Sequence, residues 1–164
     1  MTDKENDADD NDLDTLYRAV GFIVVQWGQA EQTLDMIVAI IFQDFGGNKI
    51  EKQIPIMLKQ KIKYLRKCFN KIPDISDCKT TGNELLDQFK KLSEKRNEII
   101  HGAVSTTTSN NGAYSFAKID IINEYHHVRE FDFEINQFPK LSEDLVKLGS
   151  NAVKLANQLL QINQ

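Results

Sequence analysis

Two stretches at opposite ends of the chain carry apolar residues at alternating intervals of three and four. The first runs from about Asp12 to Phe45 through Leu13, Leu16, Val20, Val24, Trp27, Leu34, Val38, Ile41 and Phe45. The last starts near Pro139 and continues through Leu141, Leu145, Leu148, Ala152, Leu155, Leu159 and Ile162. This is the period of an α-helix with one buried face, and long helices of this kind must find a partner along their whole length. The two stretches are each other's natural partner. They predict an antiparallel framework into which the rest of the chain has to fit.

Two shorter helices fit between them. Pro55 can occupy a first helical turn, and Leu58, Ile62, Leu65, Phe69 and Ile72 give an apolar face up to Pro73. Residues 75–82 read as a polar loop, and Thr81 followed by Glu84 reads as a capping box opening a third helix through Leu85, Phe89, Leu92, Arg96 and Ile99. Gly102 ends that helix in the left-handed conformation that glycine adopts without penalty. Beyond it the pattern turns extended. Val104 to Thr108, a Ser109-Asn110-Asn111-Gly112 turn and alternating Tyr114, Phe116 and Lys118 leading to Ile122 signal a hairpin, with a third strand from Val128 to Ile135. The expected fold is mainly α: an up-down four-helix bundle with a small β-hairpin or three-stranded insertion between the third and fourth helices.

A chain of 164 residues can bury a core without disulfides or a metal. Cys68 and Cys78 therefore read as reduced thiols, without metal-site spacing. No secretory leader and no apolar run of about 18 residues is present, so a cytoplasmic protein with no membrane association is expected. Six acids against Lys4 give residues 1–12 a net −5, and the whole chain is −4, which leaves +1 for the remainder. The acidity thus belongs to an expected disordered tail of residues 1–11, followed by a single domain of residues 12–164.

Three local features carry chemistry. Glu31 falls on the stripe where Trp27 and Leu34 predict an apolar side chain, so it either sits at the stripe's margin or pairs with Arg96 or a lysine. The second helix is basic, with Lys59, Lys63, Lys67 and Lys71 four apart and Lys61 and Arg66 nearby. That row is either a solvated face or, with Lys95, a phosphate-binding edge; Lys59, Lys63, Arg66, Lys67 and Lys95 are the candidate RNA contacts. The third feature is Arg96-Asn97-Glu98-Ile99-Ile100-His101-Gly102. Asn97 and His101 share a helix face, while Arg96 lies roughly 140° from His101 on an otherwise apolar stripe. A guanidinium there needs a carboxylate, a phosphate or an interface. His126 and His127 read as surface residues. Phosphate-cradling loops, metal-spaced His/Cys clusters and nucleophile elbows are absent from the sequence, so no cofactor and no metal are expected.

An arginine that grips a phosphate and a histidine that exchanges protons near neutral pH meet the needs of metal-free RNA cleavage, in which the 2′-hydroxyl attacks the adjacent phosphate. One such set is thin, and a homodimer would double it. The run from Arg96 to His101 resembles the R-x4-6-H motif of HEPN domains. The resemblance implies a helical bundle that dimerises with the motif helices facing one another. In active members it implies a metal-independent endoribonuclease, often the toxin of a toxin–antitoxin or phage-defence system, so RNA and a cognate antitoxin become expected partners. On this resemblance Arg96 polarises the scissile phosphate, His101 acts as base or acid, Asn97 orients either, and Glu31 has at most a supporting role. Ala103 stands where some minimal toxins of the family carry a tyrosine. The alternative is a non-catalytic HEPN-like module that binds nucleotide, RNA or protein and keeps Arg96 and His101 for structure.

Overall fold

The computed structural model describes residues 3–105 and 112–163, with side chains from residue 13 onward. Four helices and three strands follow in order: α1 (Asp3–Asp44), α2 (Leu58–Lys71), α3 (Lys79–His101), β1 (Ala103–Val104), β2 (Ala113–Ile122), β3 (Tyr125–Glu134) and α4 (Gln137–Ile162). The fold is mainly helical with a small antiparallel sheet between α3 and α4, ordered β1-β2-β3. Tertiary contacts divide the chain into two compact units, one of residues 1–25 and 94–144 and the other of residues 26–93 and 145–164.

In the unit of residues 26–93 and 145–164, Trp27, Leu34 and Ile41 of α1 are buried, as are Leu65 and Phe69 of α2, Phe89 of α3, and Leu145, Leu148 and Leu155 of α4. Trp27 meets Phe89 edge-to-face with ring centroids 5.8 Å apart, which ties α1 to α3. Gly46 takes φ +73° just past the end of α1, the left-handed conformation that stops a helix. α2 starts at Leu58 rather than at Pro55, with Met57 extended at its N-cap. The expected polar loop at 75–82 is instead a 3-10 helix from Pro73 to Cys78 running straight into α3. Ile75 and Cys78 drive it, since both are fully buried. Thr81 is consequently inside α3, and its hydroxyl donates to the Cys78 carbonyl (3.3 Å) instead of capping an N–H.

In the unit of residues 1–25 and 94–144, α1 begins at Asp3. Acids are favoured at that end of a helix by its dipole. The stripe of α1 is also rotated there. Ile23 is fully buried, whereas Val24 is exposed, because the run from Val20 to Val25 is apolar on every side and Ile23 is seven residues from Leu16. β2 and β3 pair from Ala113↔Glu134 to Ile122↔Tyr125, so the tight turn lies at Asn123–Glu124, both with positive φ, and the third strand starts three residues before Val128. β1 pairs with β2, as a hairpin reading expects; Ser109, Asn110 and Asn111 of the proposed turn lie outside the described residues. Tyr114, Phe116 and Phe133 face inward from this sheet, and Phe133 meets Phe138 at the start of α4 with centroids 4.5 Å apart.

Candidate functional site

The run from Arg96 to His101 forms the last turn and a half of α3, and His101 is its final residue. Its end is set by sterics rather than by backbone handedness. The described glycines with positive φ are Gly46 and Gly112, so Gly102 is not left-handed as the sequence predicted. A Cβ on Gly102 would lie 2.7 Å from the Glu98 carbonyl oxygen, 3.1 Å from the Phe131 ring and 3.2 Å from Cβ of Phe116. Glycine is required there because the sheet packs directly on the end of the helix.

Arg96 is half-buried, Asn97 and His101 are exposed, and Ile99 is buried. The Arg96 guanidinium donates from Nη1 to Asn97 Oδ1 at 3.0 Å. It therefore reaches round the helix to the amide that shares a face with His101. This bond offsets part of the angular separation between arginine and histidine and leaves a cation and an imidazole bordering one edge of the helix end. No hydrogen bond to the His101 ring forms among the described residues.

Glu98 and Arg129 were missed by the sequence reading. Arg129 Nη1 donates to Glu98 Oε1 at 2.8 Å, and its Nε lies 3.5 Å from Asp120 Oδ2. The Glu98 bond, ahead of the nearby Asp120 charge, raises the Arg129 pKa above its usual range. Arg129 also lies over the Phe131 ring, 5.7 Å from its centroid, and Phe131 stacks on Phe116. The motif helix is thus clamped to β3 by the Glu98–Arg129 ion pair and by the close packing of Gly102 against Phe131. Strand alternation, which puts Arg129 on the same face as Phe131 and Phe133, is the signal that points to it.

Glu31 pairs with a lysine, one of the two alternatives. It accepts from Trp27 Nε1 at 2.9 Å and lies 3.9 Å from Lys61 Nζ. The Lys61 side chain is 7% exposed and also bonds Asp35. The basic row on α2 is correspondingly less free than its local sequence implies. Arg66 pairs with Asp87 and bonds Asn83, and Lys67 pairs with Glu51 at 2.5 Å. The Lys67 bond holds the Glu51 carboxyl below its usual range. Of the five candidate RNA contacts, Lys59, Lys63 and Lys95 are exposed and make no ion pair among the described residues. Lys59 and Lys63 belong to one compact unit and Lys95 to the other. Beside Lys63, a cleft of about 280 Å³ is lined by Glu51, Gln53, Pro55, Gln60 and Tyr64.

His126 and His127 are exposed on β3, as expected of surface residues. Among the described residues no group of three or more His, Cys, Asp or Glu side chains is placed to hold a metal ion, and no helix is long and apolar enough to cross a membrane. Comparison with known proteins found no matching family model, no similar curated protein and no similar solved structure.

Proposed function

We propose that the chain is a metal-independent endoribonuclease of the HEPN type, built as an up-down four-helix bundle with an inserted sheet and working as a homodimer in the cytoplasm. A toxin or phage-defence role, with a cognate antitoxin as partner, follows from the same resemblance. What supports the reading is the placement of Arg96 and His101 at the exposed end of α3, with the guanidinium drawn toward the histidine's face by Asn97. In the proposed reaction Arg96 binds the scissile phosphate and stabilises the charge that develops on its oxygens. His101 takes the 2′-hydroxyl proton, and its symmetry copy gives a proton to the leaving 5′-oxygen. Exposed Lys59, Lys63 and Lys95 contribute non-specific attraction for the phosphate backbone.

The test is RNA cleavage in EDTA by the wild type, His101→Ala and Arg96→Ala. Loss of a positioned general acid–base should cost about 10²-fold or more in rate. Equal activity in wild type and His101→Ala, or none in either across several RNAs, rejects the ribonuclease. The second reading, a non-catalytic module binding nucleotide, RNA or protein, is favoured by one observation: nothing described fixes the tautomer or orientation of the His101 ring, as a base's partner would. Salt-sensitive RNA binding without cleavage would select it.

A further inference from the structure

The connection between α1 and α2 carries a surface that neither the motif nor the core explains. Ile56 is 77% exposed and Met57 66%, and Ile54 is exposed beside them. Three large apolar side chains within four residues therefore stand in water. The backbone holds them there. Pro55 keeps Ile54 out of the helical conformation, Met57 is extended with φ −78° and ψ 140°, and α2 begins only at Leu58.

Cations surround this tip. Residues 45–73 contain eight lysines and arginines and a single acid, Glu51. Three of the eight are engaged: Lys61 by Asp35 and Glu31, Arg66 by Asp87, and Lys67 by Glu51 itself. Lys52, Lys59 and Lys63 are exposed and make no ion pair among the described residues. Lys59, Lys63 and Lys67 are four apart on α2 and so share a face. Lys67 reaches Glu51, so the connection lies along that same face. Ile54 and Lys63 accordingly border one cleft. The start of α2 has no side-chain cap and no acid in its first turn, so the positive end of the helix dipole adds to the lysines at the tip.

Positive charge alone fits any polyanion, and the apolar tip chooses among them. An RNA backbone would leave Ile54, Ile56 and Met57 in water. Unpaired bases are held by stacking on aromatic or arginine side chains, and residues 48–60 contain neither. A bilayer surface offers both halves of the match, anionic headgroups outside and hydrocarbon beneath them.

We infer that residues 52–63 form a peripheral membrane-docking surface. Ile56 and Met57, with Ile54, enter the hydrocarbon boundary of a bilayer that contains anionic phospholipid, while Lys52, Lys59 and Lys63 lie among its headgroups. Among the described residues no helix is long and apolar enough to cross a membrane. Attachment to the surface needs no such helix, and it is an association the sequence did not lead us to expect. The docking goes beyond the ribonuclease reading and shares only Lys59 and Lys63 with it.

The test is co-sedimentation of the full chain with vesicles of phosphatidylcholine alone and of phosphatidylcholine mixed with phosphatidylglycerol. The wild type should sediment with the mixed vesicles and not with the neutral ones, and should bind less as salt rises. Ile56 is too exposed for its loss to unfold the chain, and Ile56→Ser should weaken binding about tenfold or more. The combined Lys52→Gln, Lys59→Gln and Lys63→Gln variant should weaken it about 10²-fold. Ile56→Trp should still bind, with its emission moving to the blue on the mixed vesicles only; Trp27 is buried and contributes the same signal throughout. Failure to sediment with the mixed vesicles, equal sedimentation with the neutral ones, or Ile56→Ser binding as tightly as wild type overturns the inference. So does a loss of RNA affinity in Ile56→Ser, which would assign the tip to RNA. The vesicle measurements contain no RNA, so they succeed or fail separately from the ribonuclease reading.

Discussion

Replacing Lys61 by methionine isolates the charge network that surrounds Glu31. Methionine keeps the apolar stem that packs in the core but removes the ammonium, which bonds Asp35 and lies 3.9 Å from Glu31. Breaking a fully buried ion pair by removing one partner costs about 3–5 kcal/mol. Here the ammonium is buried, with its side chain 7% exposed, but the carboxylates are 35% and 44% exposed and keep part of their hydration. Solvent screening of that order brings the expected loss to about 2 kcal/mol. For a domain of this size that is a fall in midpoint of roughly 4–8 °C. The loss comes from leaving two carboxylates near each other without a cation, so adding Asp35→Asn should restore about half of it. Urea unfolding of the wild type, both single variants and the double variant reads the coupling directly. A Lys61→Met chain within about 0.5 kcal/mol of wild type, below the usual effect of a core change, or strictly additive effects in the double variant, would refute the reasoning.

Two further perturbations bear on the frame. Gly102→Ala places a methyl 2.7 Å from a helix carbonyl that cannot retreat, against the Phe131 ring and the Phe116 Cβ of the sheet, and should destabilise by about 1–3 kcal/mol in chemical denaturation; a neutral result would mean that the end of α3 and the sheet separate easily. Lys67 holds the Glu51 carboxyl below its ordinary 4.5, so this ion pair stabilises the fold above that pH and the contribution disappears as pH falls through the folded-state value. Glu51→Gln should therefore be less stable than wild type at pH 7, with the gap closing as the pH is lowered through the carboxylate range, and a gap independent of pH would remove the ion pair from the explanation.

The helices and the sheet were readable because their periods are local properties of the chain. The placement of Arg96 to His101 at the end of α3 was readable for the same reason. What local pattern could not supply was the identity of partners distant in sequence. Residues 59–71 contain no acid, yet Glu51 and Asp87 neutralise two of the cations, and Glu31 and Asp35 capture Lys61 inside the core. Arg129 reaches Glu98 across 31 positions. At Gly102 the residue type was explained by the wrong property: glycine serves both left-handed turns and close approaches, and only the placement of Phe116 and Phe131 distinguishes the two. Ile23 and Val24 exchanged places because an all-apolar turn has no polar face to orient it. Ile75 and Cys78 shaped a segment whose polar neighbours made it look like a loop.

The clamp between α3 and β3 also has a mechanical meaning. From Phe131, which touches Gly102, to Tyr125 at the far end of β3 is six residues, or about 20 Å of strand at 3.3 Å per residue. The ribbon is a lever whose fulcrum is the last turn of α3. A rotation of 5° about the clamp displaces its tip by nearly 2 Å, given that length. In the reverse direction, whatever holds the tip fixes the angle at the fulcrum more tightly than any contact beside it could. Over so long an arm, a contact at the tip bears on the angle at which the sheet meets the end of α3.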